Sequence, residues 1–151
     1  MNYITDIFTN KILQTAVVSW LIAQMIKVII TLIEEKRFDF TRLFGSGGMP
    51  SSHAAFTVSL ATAVGLNTGF GGVEFAITVA FAFVVMYDAT GVRRSAGEQA
   101  KILNRIVESM GHEDISETGK KLKELLGHTP FEVFGGAVLG IIIALLYHFY
   151  A

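Results

Sequence analysis

Residues 45–53 combine the side chains and the backbone that phosphate chemistry needs. The segment reads Gly-Ser-Gly-Gly-Met-Pro-Ser-Ser-His and lies between two long apolar stretches. Pro50 suits the first turn of a helix, which would place Ser51 and Ser52 near a helix N-terminus. Free backbone N–H groups and the helix macrodipole favour a phosphate at such a terminus. His53 adds a side chain that exchanges a proton near neutral pH.

A second histidine opens the last apolar stretch, where residues 127–132 read Gly-His-Thr-Pro-Phe-Glu. His128 and Glu132 are four residues apart, close enough on a helix for the carboxylate to orient the imidazole. Capping explains Glu132 equally well, because Thr129 and Glu132 fit the N-cap and third positions of a capping box. Two histidines beside helix starts at a membrane edge suggest phosphate-ester chemistry on a lipid.

The composition is typical of a membrane protein. Of the 151 residues, 52% are hydrophobic and 17% are charged, and the mean hydropathy is +0.52. Soluble domains carry roughly 25% charged residues. The chain has no cysteine, which excludes disulfides, thiolate metal sites and cysteine nucleophiles, and the sequence offers no convincing metal cluster. The formal net charge of -1 gives no indication of nucleic-acid binding.

Four apolar stretches approach the ~20 residues that a membrane-spanning helix needs. The second and third form a hairpin, because only the short turn 67–72 separates them. We therefore expect an all-α fold, a single membrane-embedded domain over residues 1–151 with about four transmembrane helices. A soluble, buried helical bundle is the alternative, but four such stretches would nearly exhaust the chain. The predicted spans cover residues 12–33, 52–68, 73–90 and 131–150.

The basic residues predict the orientation of these spans. Lys and Arg concentrate in segments 34–50 and 91–130, which lie on the same side of a four-span bundle. The positive-inside rule places both segments in the cytoplasm and both termini outside. Segment 91–130 is too long for a turn. The apolar spacing of residues 95–110 predicts an amphipathic helix ending at Gly111, and residues 116–126 suggest a second short helix, both on the membrane surface.

Ionisable side chains inside the predicted spans are costly and usually face a partner or an aqueous cavity. Lys27 in the first span either snorkels to the interface or faces a phosphate, and both interpretations stay open. Asp88 closes the third span, and we interpret it as a structural partner of Arg93 or Arg94. Lys27, Arg42 and these two arginines all project from the membrane side that carries His53 and His128.

These motifs resemble those of the type 2 phosphatidic acid phosphatases. Pro50-Ser51-Ser52-His53 is similar to their second signature, P-S-G-H, and His128-x-x-x-Glu132 is similar to the H-x-x-x-D end of their third. Residues 20–145 as a whole resemble a small, divergent bacterial branch of that family, related to acid phosphatases and vanadium-dependent haloperoxidases.

The resemblance implies a lipid phosphatase that needs no metal and no cofactor. It implies that His128 attacks phosphorus and becomes phosphohistidine, that Glu132 orients it, and that His53 protonates the leaving oxygen. Ser52, with Ser51 beside it, would help to hold the phosphate. The implied substrate is a lipid phosphate monoester or diphosphate, such as phosphatidylglycerophosphate, phosphatidate or polyprenyl diphosphate. The implied location is the bacterial inner membrane, with the active site facing the cytoplasm.

The phosphate clamp departs from the family pattern. The first signature is K-x6-R-P, whereas Lys36 and Arg42 are one residue too close and Leu43 replaces the proline. Lys27 with Arg42 is the preferred substitute pair, and Lys36 remains the alternative lysine.

The third signature of the family also has an arginine six residues before its histidine, where this chain has Leu122. Arg93 or Arg94 is expected to supply the missing guanidinium, and the choice between them is open. Gly47 and Gly48 are expected to let the backbone approach the phosphate closely.

Other functions stay open at this stage. A non-catalytic phospholipid-binding or scaffold membrane protein would keep the fold and bind phosphate lipids without turnover. A vanadate haloperoxidase would require bound vanadate and halide oxidation, and a membrane-embedded pocket suits a lipid headgroup better. A homodimer is also open, although Gly136 and Gly140 form a small-xxx-small pair that more often serves simple helix packing.

Overall fold

The computed structural model describes residues 2–35, 48–109 and 127–150, and every regular element in these ranges is a helix. The predicted all-α fold is therefore confirmed. The predicted helix at residues 116–126 and the predicted stop at Gly111 lie outside the described residues. The helices are α1 (Tyr3–Thr9), α2 (Lys11–Glu35), α3 (Ser52–Thr68), α4 (Val73–Thr90), α5 (Val92–Ser109) and α6 (Pro130–Tyr150).

Three helical stretches in the described part of the chain are long and apolar enough to cross a membrane. They are Lys11–Ile33, Val73–Val107, which runs through α4 into α5, and Pro130–Tyr150. Helix α3 has 17 residues, so it is about 25 Å long, slightly short of the ~30 Å hydrocarbon core. The architecture agrees with a membrane bundle of about four spanning helices.

Helix α3 is the centre of the bundle, because α2, α4 and α6 all pack against it. Its buried side chains are mostly small, as membrane helices that approach closely require. Helix α6 meets it through Gly136 and Gly140. A Cβ on Gly136 would collide with the Ser51 carbonyl, and one on Gly140 would lie 2.7 Å from the Ala55 carbonyl oxygen. This glycine pair therefore serves helix packing within the chain.

Polar side chains also join the helices. Ser19 on α2 donates to the Ala55 carbonyl of α3 at 3.1 Å. Tyr147 on α6 donates to Gln14 Oε1 on α2 at 2.6 Å. In a medium without water, such hydrogen bonds fix the relative register of neighbouring helices.

The largest differences from the predictions are an additional short helix and an earlier start of α5. Helix α1 was not predicted, and Asn10 separates it from α2. The Asn10 side chain caps α2 by accepting from the Leu13 N–H at 3.0 Å. Helix α5 begins at Val92, three residues before its predicted start, because Gly91 ends α4 and the chain re-enters a helix immediately.

The predicted hairpin between α3 and α4 turns at Gly69, whose φ of 95° suits glycine.

Candidate functional site

The N-terminus of α3 is capped by a serine of the Ser-Ser-His segment. Ser51 is the N-cap residue, and its Oγ accepts from the Ala54 N–H at 3.4 Å. The backbone N–H of Ser51 donates to the Glu132 carbonyl at 2.9 Å, which ties α3 to the start of α6. Pro50 lies just before the N-cap, so the expectation that it sits in the first helical turn is wrong. The Ser51 hydroxyl caps the N-terminus of α3 instead.

Glu132 both caps α6 and contacts the His128 imidazole, the two roles between which the sequence alone did not decide. Thr129 Oγ1 accepts from the Glu132 N–H at 3.3 Å, and Glu132 Oε2 accepts from the Thr129 N–H at 2.9 Å. This is a reciprocal capping box. The same Oε2 lies 3.2 Å from His128 Nδ1. The same Glu132 oxygen therefore caps the N-terminus of α6 and contacts the His128 ring.

His128 is buried at the junction of α4, α5 and α6, with only 2% of its surface exposed. Its backbone N–H donates to the Ala89 carbonyl at 3.0 Å. Gly127 allows this close approach, because a Cβ there would collide with the backbone nitrogen of Arg94 and lie 2.9 Å from the Ala89 oxygen. Gly127 was not among the predicted site residues, although its position directly before His128 in the sequence indicated a close backbone contact.

The two ring nitrogens of His128 have different surroundings. A carboxylate can only accept, so Nδ1 carries the hydrogen that Glu132 receives. The lone pair is then on Nε2, which is buried and has no hydrogen-bond partner among the described residues. Buried polar atoms are almost always paired. An imidazole held in one tautomer with its other nitrogen unoccupied is poised to bind or attack an electrophilic group.

Burial lowers the pKa of His128 below its usual value of 6.5. The hydrogen bond to Glu132 opposes this effect, and the positive charges of Lys27 and Arg93 add to it. The neutral form of the ring therefore predominates at pH 7. Between the lowered folded pKa and 6.5 the unfolded chain binds more protons here, so this residue's contribution to stability falls as the pH drops through that interval.

Lys27 lies inside the bundle at the same end. Only 4% of its surface is exposed, and its Nζ donates to Ser52 Oγ at 3.0 Å. A Cβ on Gly48 would be 4.0 Å from Lys27 Cδ, so the described end of the glycine segment lies beside this side chain. The ammonium group thus faces the start of α3.

His53 is exposed at the start of α3. Its ring centroid is 6.2 Å from that of His128, and the two ring planes are inclined by 65°. The charges of Arg93, Lys27 and Asp88 all act on the His53 ring. The two histidines are therefore close enough to contact the same small group.

The two candidate arginines have different partners. Arg93 Nε lies 2.6 Å from Asp88 Oδ2, as expected of a structural pair. Arg94 Nε lies 3.3 Å from Glu98 Oε1, one turn further along α5. Arg93 is close enough to interact electrostatically with both histidines, whereas Arg94 is directed towards Glu98.

Three residues of the expected phosphate clamp, Arg42, Lys36 and Gly47, lie outside the described residues. Within residues 2–35, 48–109 and 127–150, no group of three or more metal-ligating side chains occurs. Among the described site residues, Lys27 and the two histidines lie together at the start of α3, and the charge of Arg93 acts on both rings.

The fold and the site together define an all-α membrane protein with a buried histidine–carboxylate pair beside a buried lysine at helix N-termini. The chain belongs to the Divergent PAP2 family, whose model matches residues 8–143. The family resemblance stated from the motifs is therefore confirmed. The chain is 41% identical to "Uncharacterized membrane protein YuiD" of Bacillus subtilis (strain 168), over 93% of this chain and 96% of that protein. No solved structure matches the chain.

Proposed function

We propose that this protein is a membrane phosphatase that hydrolyses a lipid phosphate monoester or diphosphate through a phosphohistidine intermediate. The observation that supports it most strongly is His128, whose Nδ1 is held by Glu132 while its buried Nε2 has no partner in the described part of the chain. A structural histidine would normally have both ring nitrogens satisfied.

In the first step, the Nε2 lone pair of neutral His128 attacks phosphorus. An N–P bond forms, and the P–O bond to the lipid breaks. The departing oxygen takes a proton from protonated His53, which becomes neutral. The Glu132 carboxylate offsets the positive charge that develops on the His128 ring. When the substrate is a diphosphate, the leaving group is the lipid monophosphate.

In the second step, water attacks the phosphohistidine. Neutral His53 takes a proton from the water, a new P–O bond forms, and the N–P bond breaks. Inorganic phosphate leaves, His128 regains its lone pair, and His53 is again protonated for the next cycle. No metal ion or cofactor is required by this sequence of steps.

Fixed cations would stabilise the transition state, because a phosphoryl group in transfer spreads negative charge over its oxygens. Lys27 is the best-supported cation, since it is buried and already contacts Ser52. A hydroxyl that accepts from Lys27 still has its own hydrogen to donate to a phosphate oxygen. Arg93 is preferred to Arg94 because its charge reaches both histidines. Ser51 and Gly48 complete the proposed cradle, with Arg42 and Gly47 as its expected further members.

The proposed location is the bacterial inner membrane, with this site facing the cytoplasm and both termini outside. The concentration of Lys and Arg in segments 34–50 and 91–130 supports this orientation. Cysteine labelling can test it in intact cells with an impermeant reagent. Gly71→Cys, where a side chain meets nothing within 4 Å, should be labelled from outside. Ser95→Cys should be labelled only after permeabilisation, and the reverse pattern would invert the topology.

Phosphate release by the purified protein tests the function. We would measure it in lipid nanodiscs across phosphatidylglycerophosphate, phosphatidate and polyprenyl diphosphate, with and without EDTA. We expect turnover of at least one substrate in EDTA, and loss of turnover in His128→Ala. Tight binding without turnover would favour a non-catalytic lipid-binding protein. Halide oxidation after vanadate loading would favour a haloperoxidase.

A further inference from the structure

An apolar groove of about 300 Å³ lies between α3, α4 and α6. Small side chains line its floor, namely Ala61, Ala82 and Ala137. Among the described residues that line it, Thr62 alone carries a hydroxyl, and that hydroxyl donates to the Val58 carbonyl at 2.8 Å. The groove therefore offers apolar contacts and no unsatisfied hydrogen-bonding group to a ligand.

The groove runs along α4 from Phe75 to Met86. This separation corresponds to about 16 Å of helix, roughly half of the ~30 Å hydrocarbon core. Its length is therefore comparable with the thickness of one leaflet.

One end of the groove adjoins the candidate active site. Met86 packs against a buried cluster formed by Ala54, Ala89 and Val133. Each member of this cluster is adjacent to a site residue or bonded to one: Ala54 follows His53, Val133 follows Glu132, and the Ala89 carbonyl accepts from the His128 N–H. A molecule with its phosphate at the histidines would have its apolar part directed towards Met86.

An aromatic pair closes the other end. The rings of Phe70 and Phe75 are 5.1 Å apart and inclined by 83°. Phe70 lies over Gly65, where a Cβ would collide with its ring. The groove therefore ends at a packed pair of aromatic rings next to the hairpin turn.

We propose that this groove binds one hydrocarbon chain of the lipid whose phosphate lies at His128, and that Phe70 and Phe75 limit the length of chain it covers. The proposal rests on the proposed function, because a phosphate at His128 is what aligns the chain. Two wall residues of the groove, Phe83 and Ile141, are exposed on the apolar surface of the bundle. A bilayer would surround that surface with hydrocarbon chains. The favoured substrates are then long-chain lipid phosphates rather than short-chain or water-soluble phosphate esters.

The preference for long-chain substrates would not come from the hydrophobic effect, because the hydrocarbon chain moves from the apolar bilayer into an apolar groove. It would come from close packing of the chain in the groove and from alignment of the phosphate with the attacking nitrogen. A butyl chain is too short to reach past Met86 and receives neither benefit.

A filled groove provides the first test. Ala137→Phe would place a ring in the floor of the groove from α6. The matched control is Ala80→Phe, which adds the same ring to an exposed position of α4 outside the groove. We would measure kcat/KM in nanodiscs for a hexadecyl phosphate and for butyl phosphate. The ratio of the two should fall at least about tenfold in Ala137→Phe, and Ala80→Phe should keep the wild-type ratio.

Photolabelling of the wild-type protein provides a second test that depends neither on turnover nor on the folding of a variant. The probe is a hexadecyl phosphate with a diazirine at the middle of its chain, and the labelled residues are mapped by mass spectrometry. We expect labelling of Phe83, Met86 and Ile141 well above that of Ala80. Unlabelled hexadecyl phosphate in excess should displace this labelling.

The two tests separate failure of the groove from failure of the phosphatase. Labelling spread evenly over the lipid-facing helices, or a cross-link from the groove to a second copy of the chain, would overturn the groove proposal. Equal loss of the chain-length preference in both phenylalanine variants would also overturn it. Phosphate release without groove labelling would refute the groove alone. Groove labelling without release of phosphate from any substrate would support the chain site and refute the proposed catalysis.

Discussion

Glu132→Gln separates the catalytic role proposed for this residue from its capping role. Glutamine keeps the length of the side chain and retains an amide oxygen that can accept from the Thr129 N–H, as capping boxes allow. It loses the charge that holds His128 Nδ1 at 3.2 Å and offsets the imidazolium that forms during attack. The substitution therefore removes one charge-assisted hydrogen bond from the transition state.

A hydrogen bond to a charged group contributes about 1.5–3 kcal/mol. If this contribution is realised mainly in the transition state, its loss reduces the rate about 10- to 150-fold. The free energy of unfolding should change by less than about 1 kcal/mol, because the cap persists. The assay is kcat for phosphate release in nanodiscs, accompanied by a thermal unfolding measurement on the same samples.

Thr129→Ala is the matched control. It removes the N-cap hydroxyl, which accepts from the Glu132 N–H at 3.3 Å, and leaves the carboxylate beside His128. We expect it to lower the free energy of unfolding by about 1 kcal/mol and to keep kcat within about threefold of wild type. A wild-type rate in Glu132→Gln, or equal rate losses in both variants, would refute the assigned role of the carboxylate.

Three further predictions concern the cations and the proton. Lys27→Met should reduce kcat/KM at least ~10²-fold, as loss of a preorganised charge does, while Lys101→Met on the exposed surface of α5 should retain wild-type activity; equal losses would indicate a general charge effect. Arg93→Ala should reduce kcat/KM at least about tenfold, whereas Arg94→Ala should leave kcat/KM nearly unchanged. A larger loss in Arg94→Ala would instead assign the phosphate contact to Arg94. Burial lowers the pKa of His128 below 6.5, so single-turnover phosphorylation by an activated aryl phosphate should fall in acid with a midpoint below pH 6.5. A midpoint above pH 6.5 would contradict a buried nucleophile that is mainly neutral at pH 7.

Most of the helices could be predicted, because each forms from the apolar pattern of its own segment. Long apolar runs specify α2, α3, α4 and α6 almost regardless of their neighbours. Helix α1 was missed because seven residues are too few for a clear apolar period. Asn10 separates it from α2, since its backbone N–H donates to the Ile7 carbonyl of α1 and its side chain caps α2.

The site was predictable only in part, because its arrangement depends on contacts between distant segments. The contact between His128 and Glu132 could be predicted from their spacing, because residues four apart lie on the same face of a helix. The sequence could not decide whether Lys27 snorkels, since its partner Ser52 is 25 residues away. Likewise, Arg93 and Arg94 are adjacent in sequence, and only the fold distinguishes the one near the histidines from the one paired with Glu98.

The most direct test of the proposed mechanism is to trap and map the phosphoenzyme. Purified protein in EDTA is mixed with a radioactive aryl phosphate, quenched, and divided between acid and alkali before peptide mapping. We expect a phosphoramidate, labile in acid and stable in alkali, on His128. It should be absent in His128→Ala and still form in His53→Ala, because an activated leaving group needs little protonation. Phosphate release without a phosphoenzyme, or a label on another residue, would contradict the assignment of His128 as the nucleophile.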